Sequence, residues 1–234
     1  MSDLYDTSEY RRRLWDFEYS EGKRFGATLS SKPSGALTRF LHDYDTESKS
    51  AIDLGCGNGR NSILLAKEGF SVTAIDFSQV ALDLVSEHAR ELNLQKQIRI
   101  LNHDFSHRLE LPTASAGLIL DIFTTQALSA ASRQLLYPRI EQLLKPDGYF
   151  LMHTLATDCP AAQKLIATMP GPESGSYRFT AEGQVFTDKT FTENELETLF
   201  PSLTLLELEA QPKKILSKEG EEWDYTFLYA VYQK

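Results

Sequence analysis

Cysteine is scarce in this chain: Cys56 and Cys159 are the only two among 234 residues. Two isolated thiols offer neither a disulfide framework nor metal-ligand spacing. No metal is therefore expected, and a reducing, cytoplasmic setting fits best. Long hydrophobic runs are missing as well. Nothing approaches the roughly 18 consecutive apolar residues that a membrane-spanning helix needs. The opening residues, Met1-Ser2-Asp3-Leu4-Tyr5-Asp6, are acidic where a secretory signal would be basic and then apolar. Positive charge is in short supply, with 24 Lys and Arg against 33 Asp and Glu for a net charge of -9. Nucleic-acid partners are recognised through clustered basic residues, so this balance argues against one. A chain of this length can bury a full core without staples, which implies a single domain.

What is present is a rhythm. Residues Thr7 to Phe17 read as a helix, with Thr7 or Ser8 as its N-cap and Tyr10, Leu14 and Phe17 on one face. A loop punctuated by Gly22, Gly26, Pro33 and Gly35 follows, then a short helix over Ala36 to His42. From Ser50 onward strands and helices alternate. Strands are expected at Ala51 to Leu54, Ser71 to Ile75, Ile98 to Leu101, Gly117 to Phe123 and Tyr149 to Leu155. The intervening helices cover Arg60 to Glu68 (closed by Gly69), a segment capped by Ser78 and reaching about Leu92, and Ala131 to Leu144 (stopped by Lys145-Pro146-Asp147-Gly148). This order predicts a parallel sheet with helices on both faces. Leu203 to Glu209 and Tyr225 to Tyr232 add two strands with only a polar stretch, Gln211 to Trp223, between them. Without a crossover helix they pair antiparallel at the sheet edge.

The expected fold class is thus α/β, doubly wound, a mostly parallel seven-stranded sheet with an antiparallel C-terminal edge. The expected parts are a helical cap (1–49), a binding core (50–155), a segment at the carboxyl edge of the sheet (156–193), and a C-terminal helix with its strand pair (194–234). The third part, rich in Pro and Gly from Ala156 to Thr190, reads as an irregular stretch that is either a lid or simply mobile.

The strongest chemical signal is Ala51-Ile52-Asp53-Leu54-Gly55-Cys56-Gly57-Asn58-Gly59 followed by helix. A strand here delivers the chain to a turn where a Cβ would obstruct a ligand, and a helix N-terminus then presents free N–H groups. Dinucleotide sites share that context. Three details favour S-adenosylmethionine instead. The spacing is G-x-G-x-G and not the G-x-G-x-x-G of pyrophosphate loops. Asp53, just before the first glycine, would repel a pyrophosphate but can orient the loop or reach an ammonium group. Acidic residues also end the next two strands: Asp76 is placed to accept from ribose hydroxyls and Asp104 from an adenine amine, with Phe105 or Phe77 packing on the ring.

The run Asp53-Leu54-Gly55-Cys56-Gly57-Asn58-Gly59-Arg60-Asn61-Ser62 resembles the first motif of class I S-adenosylmethionine-dependent methyltransferases, nearest to the tellurite-resistance-type and related small-molecule members. Leu65 to Ser78, Trp15-Asp16, Tyr19 to Gly22 and Leu144 to Gly148 extend the likeness, which is strong from Ser50 to Phe123, fair to Leu155 and weak beyond. The resemblance implies a Rossmann-like core. It also implies that Gly55, Gly57 and Gly59, with Cys56, Asn58 and Asn61 in the same motif, border the methionine portion of the donor. By the same likeness Asp76 holds ribose, Asp104 with Phe105 borders adenine, and Asp121 stands between methionine portion and acceptor entrance. Trp15 either closes over the donor or is an ordinary core residue. Cys56 has no His or second Cys placed to activate it and reads as a small loop residue.

On the acceptor side the candidates are Asp121, His153, Tyr177 and Arg178. His153 is either a base or a hydrogen-bonded structural residue. Tyr177 and Arg178 belong to the lid or are solvated, and Arg178 would suit an anionic acceptor. The basic run Arg11-Arg12-Arg13 is either a solvated helix face or a contact to a donor carboxylate. After the fourth strand, Asp121-Ile122-Phe123-Thr124 lacks the Asn/Asp-Pro-Pro-aromatic pattern of nucleic-acid amino-methyltransferases. A small-molecule acceptor is expected. The competing readings are a nicotinamide-dependent oxidoreductase and a sensor or scaffold that binds the donor without turnover.

Overall fold

The computed structural model describes residues 8–21, 30–181, 183–216 and 222–234. Thr7 as a cap and the punctuating Gly22 and Gly26 lie outside them. Among the described residues no helix is long and apolar enough to cross a membrane.

The chain begins with α1 (Ser8–Glu21) and α2 (Gly35–Asp43), then enters the alternating core: β1 (Ser50–Leu54), α3 (Arg60–Lys67), β2 (Ser71–Asp76), α4 (Gln79–Glu91), β3 (Ile98–Asn102) and β4 (Ala116–Ile122). A 3-10 turn (Thr125–Ala127) leads to α5 (Ala130–Leu143) and β5 (Leu144–Leu155). The remainder is α6 (Pro160–Thr168), β6 (Ser176–Ala181), β7 (Gln184–Lys189), α7 (Glu193–Thr198), β8 (Thr204–Leu216) and β9 (Glu222–Gln233). The main sheet has seven strands in the order β3-β2-β1-β4-β5-β9-β8. β1 to β5 run parallel, and β9 pairs antiparallel with both β5 and β8. The expected class is the observed one.

The central strands β1 and β4 are buried along almost their whole length because helices cover both faces of the sheet. Leu37, Phe40, Leu65, Val85, Leu118 and Leu151 pack on one side. Ile52, Ile119, Leu136, Ile140, Phe150 and Tyr232 pack on the other. Turn chemistry sets the boundaries. Ser78 accepts the Ala81 N–H and starts α4. Gly69 closes the turn after α3 at φ +85.

Three expectations need correction. The stretch from Ala156 to Thr190 is not irregular: it contains α6 and a separate two-stranded sheet of β6 and β7. Its prolines sit at element ends, with Pro160 in the first turn of α6, where a missing N–H costs nothing. The polar stretch Gln211 to Trp223 is not a plain connector, because β8 and β9 continue through it in register from Gln211↔Phe227 to Leu216↔Glu222. Pro212 is tolerated there because β8 is the edge strand, with one side unpaired. Finally, α5 ends at Leu143 and β5 begins at once, with Leu144 opposite Ala116. The Lys145 to Gly148 segment is an irregularity within that strand, carrying Asp147 at φ +60, and does not stop the helix.

Candidate functional site

A crevice opens at the carboxyl ends of β1, β2, β3 and β4, where a doubly wound sheet places its ligands. Its floor is the glycine loop. Gly55, Gly57 and Gly59 all have positive φ (+60, +55 and +79), conformations that side chains resist. A Cβ on Gly55 would overlap Thr124, whose hydroxyl donates to the Leu54 carbonyl (2.6 Å). One on Gly57 would overlap the Tyr19 hydroxyl. Gly59 does not line the crevice; it packs against Val85 of α4.

The acidic residues divide into two kinds. Asp76 and Asp104 line the crevice. Asp76 accepts from the Gly57 N–H (3.0 Å) and the Ser78 N–H (2.9 Å), one on each oxygen, so it braces the glycine loop while keeping acceptor capacity. Burial raises its pKa against those bonds. At Asp104 burial is outweighed by hydrogen bonds from Ser106 and Ser8 and by the Arg12 charge, so its pKa falls below the usual carboxylate range. Asp53 and Asp121 are of the second kind: they sit beneath the crevice and not on its wall. Asp53 accepts from the Ser62 hydroxyl (2.6 Å), tying strand tip to helix α3, and burial pushes its pKa up to about 6. Asp121 accepts from the Thr124 and Thr125 N–H groups (2.9 and 3.1 Å) and from the Thr125 hydroxyl, shaping the turn after β4. Oδ1 takes two of those bonds and Oδ2 one, and Asp121, expected beside the methionine portion and the acceptor, lies beneath the crevice wall.

The roof was largely unread in the sequence. Helix α1 lies over the crevice, with Ser8, Arg11, Trp15 and Tyr19 lining it at the 3–4 residue spacing of one helix face. Arg12 reaches Asp104 (3.9 Å) and stands over Phe77, and Asp16 accepts from the Ser78 hydroxyl (2.5 Å). The basic run is thus not one solvated face. Arg11 is buried and donates to the carbonyls of Ala127 and Thr187, while Arg13 pairs with Glu9 in solvent (2.6 Å). Leu14 packs with Ala181 and Phe186 of the small hairpin. The hairpin thus backs the helix that covers the crevice. The stripe of α1 was the signal available, but aromatic and charged residues alternate in it, which masks it in a search for apolar periodicity.

Of the other expected residues, Cys56, Asn58, Asn61, Phe77 and Phe105 line the crevice along with Trp15. Asn58 donates to Ser30 O (3.0 Å) and Asn61 accepts from Ser34 N–H (2.9 Å), which fixes the segment before α2 against the glycine loop. Burial beside Asp76 and Asp53 raises the Cys56 thiol, leaving it unreactive.

The acceptor-side expectations fare differently. Tyr177 is buried among Leu155, Cys159, Ala161 and Ala162, away from the crevice. Arg178 donates to Pro170 O (2.5 Å) and does not line the crevice either. Both expected binding residues thus stand off the crevice wall, Tyr177 against α6 and Arg178 at the loop that follows it. His153 lies behind Phe123, ring centroids 4.8 Å apart, and is not on the crevice wall. Neither ring nitrogen has a partner of good hydrogen-bond geometry among the described residues, and Gln211 is the polar side chain that faces the ring. Burial, then the Lys213 charge, pushes its pKa down to about 4, so the ring is neutral near pH 7.

Two carboxylates on a crevice wall, with the loop N–H of Gly57 turned inward onto one of them, make a poor pyrophosphate site. They fit a cationic, hydroxyl-bearing nucleoside. Similarity points the same way. Residues 51–148 match the family model described as a methyltransferase domain. The chain is 28% identical over 112 residues to carboxy-S-adenosyl-L-methionine synthase of Hydrogenovibrio crunogenus, covering 47% of this chain and 43% of that one. It spans about half the length of the curated relatives it matches. A SAM-dependent methyltransferase structure from Methanosarcina mazei superposes with a TM-score of 0.70 at 22% identity, covering 83% of this chain and 96% of that one. TehB from Haemophilus influenzae gives 0.64 at 19% identity, covering 94% and 67%. At these identities the structures establish a shared fold.

Proposed function

We propose that the chain is a class I S-adenosylmethionine-dependent methyltransferase that transfers a methyl group to a small-molecule acceptor in the cytoplasm; the methyltransferase-domain match over residues 51–148 and the shared fold support this reading. The observation that carries this reading is the pair of crevice-lining carboxylates, Asp76 and Asp104, at successive strand tips beyond a G-x-G-x-G loop. Asp76 is placed to accept from ribose hydroxyls, and Asp104 from the adenine amine beside Phe105 and Phe77. Gly55 and Gly57 leave room for the amino-acid end.

Bound there, the donor supplies an electrophilic methyl on a sulfonium: the acceptor's lone pair forms the new bond as the carbon–sulfur pair returns to sulfur. The chain's own task is alignment and exclusion of water. Asp53 and Asp121 serve it indirectly, the first by locking the loop to α3 through Ser62 and the second by holding the turn that presents Phe123 and Thr124. Helix α1, backed by the β6–β7 hairpin, closes the top over a single domain. No crevice-lining residue is required as a general base unless the acceptor is protonated at its nucleophilic atom. The -9 charge agrees with an acceptor other than nucleic acid.

Two measurements test the reading. Calorimetry is expected to show S-adenosylhomocysteine bound at micromolar affinity and NAD not at all. Incubation of the protein and S-adenosylmethionine with a fractionated metabolite pool is expected to release S-adenosylhomocysteine. Tight donor binding with no release across the pool would replace the enzyme by a sensor or scaffold.

A further inference from the structure

One part of the crevice wall has the opposite character to the carboxylate end. Arg60 opens α3 directly after the glycine loop and lines the crevice. Its guanidinium donates to Lys32 O (3.2 Å) and makes no ion pair among the described residues. Burial is the main influence on it and lowers its pKa; the nearest carboxylate influence comes from Asp53, which is already bonded to Ser62. In a chain of net charge -9, a half-buried guanidinium on the crevice wall, without an ion pair among the described residues, is available to an anionic ligand.

The same crevice is walled by Phe123, held at φ +64 by its N–H donating to His153 O (2.9 Å). Behind it the His153 and Phe227 rings lie 4.8 and 5.4 Å away, and Tyr225 stacks on Phe227 at 6.0 Å. These are ordinary aromatic packing distances. With neither nitrogen in a hydrogen bond of good geometry among the described residues, His153 serves here as a third neutral ring backing Phe123. A flat aromatic surface and a planar, unpaired fork of N–H donors thus share one crevice.

We propose that the acceptor subsite binds a planar aromatic carboxylate, its ring laid on Phe123 and its carboxylate forked by Arg60. The role of that ligand as methyl acceptor rests on the methyltransferase reading; its binding does not. The donor's own carboxylate is the competing source of anion for Arg60, and the test separates the two.

Saturation-transfer NMR is run with 4-hydroxybenzoate as probe, against 4-hydroxybenzamide and cyclohexanecarboxylate, with and without S-adenosylhomocysteine. The benzoate is expected to bind and both controls to bind at least about tenfold more weakly. Arg60→Gln is expected to abolish the preference for carboxylate over amide, and Phe123→Leu the preference for the aromatic over the cyclohexane ring. Arg60→Lys, which keeps the charge and loses the fork, is expected to fall between wild type and Arg60→Gln, and circular dichroism checks that each variant is folded. Equal retention of benzoate and benzamide by the wild type would overturn the proposal. So would Arg60→Gln losing S-adenosylhomocysteine while keeping the benzoate, which would assign the guanidinium to the donor. If S-adenosylhomocysteine fails to bind at all, the methyltransferase reading falls while Arg60-dependent benzoate binding stands on its own.

Discussion

The floor and the roof of the crevice are built on opposite plans. The floor is set by parallel strands whose tips are braced by backbone-directed hydrogen bonds: Asp76 to Gly57 and Ser78, Asp53 to Ser62, Asp121 to Thr124 and Thr125. Three strand tips contribute to it, and each carboxylate bonds groups no more than 19 residues away along the chain. The roof joins distant segments, α1 with the β6–β7 hairpin and the 3-10 turn, through a small apolar cluster and a few long side chains such as Arg11. The difference teaches that binding of the donor depends on a rigid local framework, whereas access depends on contacts that are few, long-range and separately removable.

The largest effect is expected at the floor. Gly57→Val must combine a positive φ with an overlap on Tyr19, and is expected to weaken S-adenosylhomocysteine binding by about 3 kcal/mol or more in calorimetry. Asp76→Ala removes both a loop brace and the acceptor for the ribose hydroxyls, a loss of about 1–3 kcal/mol by the same measurement. Equal effects from Asp76→Ala and from a roof substitution would erase the contrast between the two regions.

At the roof, Arg11→Ala is expected to raise amide hydrogen exchange across α1 by roughly tenfold, equivalent to about 1.4 kcal/mol, with exchange in β1 and β2 unchanged. His153 sharpens the contrast through pH. Its folded pKa of about 4 lies below the unfolded histidine value, so the unfolded chain binds more protons between the two and stability falls as pH drops through that window. From pH 6.5 to 5 that loss is about 1–1.5 kcal/mol, and His153→Phe is expected to remove it in urea melts. Arg178→Ala is the smallest: with its guanidinium directed to Pro170 and off the crevice, it is expected to leave donor affinity within about 0.5 kcal/mol.

Sequence made the floor readable because its signals are local. Strand periodicity, the glycine spacing and an acidic residue at each strand tip all fall within windows that one helix or turn controls; Gly55 to Asn58, Asn61 and Asp76 line the crevice, whereas Gly59 packs on Val85. Asp53 and Asp121 show its boundary. Their positions at strand ends were legible, but whether a carboxylate points up into a crevice or down onto Ser62 and Thr125 depends on side-chain direction, which spacing does not encode. The cover was misread for a related reason. Tyr177 and Arg178 lie in the right segment, yet as neighbours in β6 they point to opposite faces, Tyr177 packing on α6 and Arg178 reaching Pro170, and it is Ala181, farther along the Tyr177 face, that meets α1 together with Phe186. Trp15 was legible as a residue that could close over the donor, whereas Tyr19 was not placed, because spacing does not show that α1 packs on α4 beside the glycine loop.

The lengthwise placement of α1 has a kinetic corollary. Its first turn stands by Asp104 and its last by Gly57, so a nucleoside lying between those points is enclosed from end to end. The Arg11 bonds to Ala127 and Thr187 hold that helix down, so Arg11→Ala is expected to speed release of bound S-adenosylhomocysteine in a stopped-flow displacement measurement.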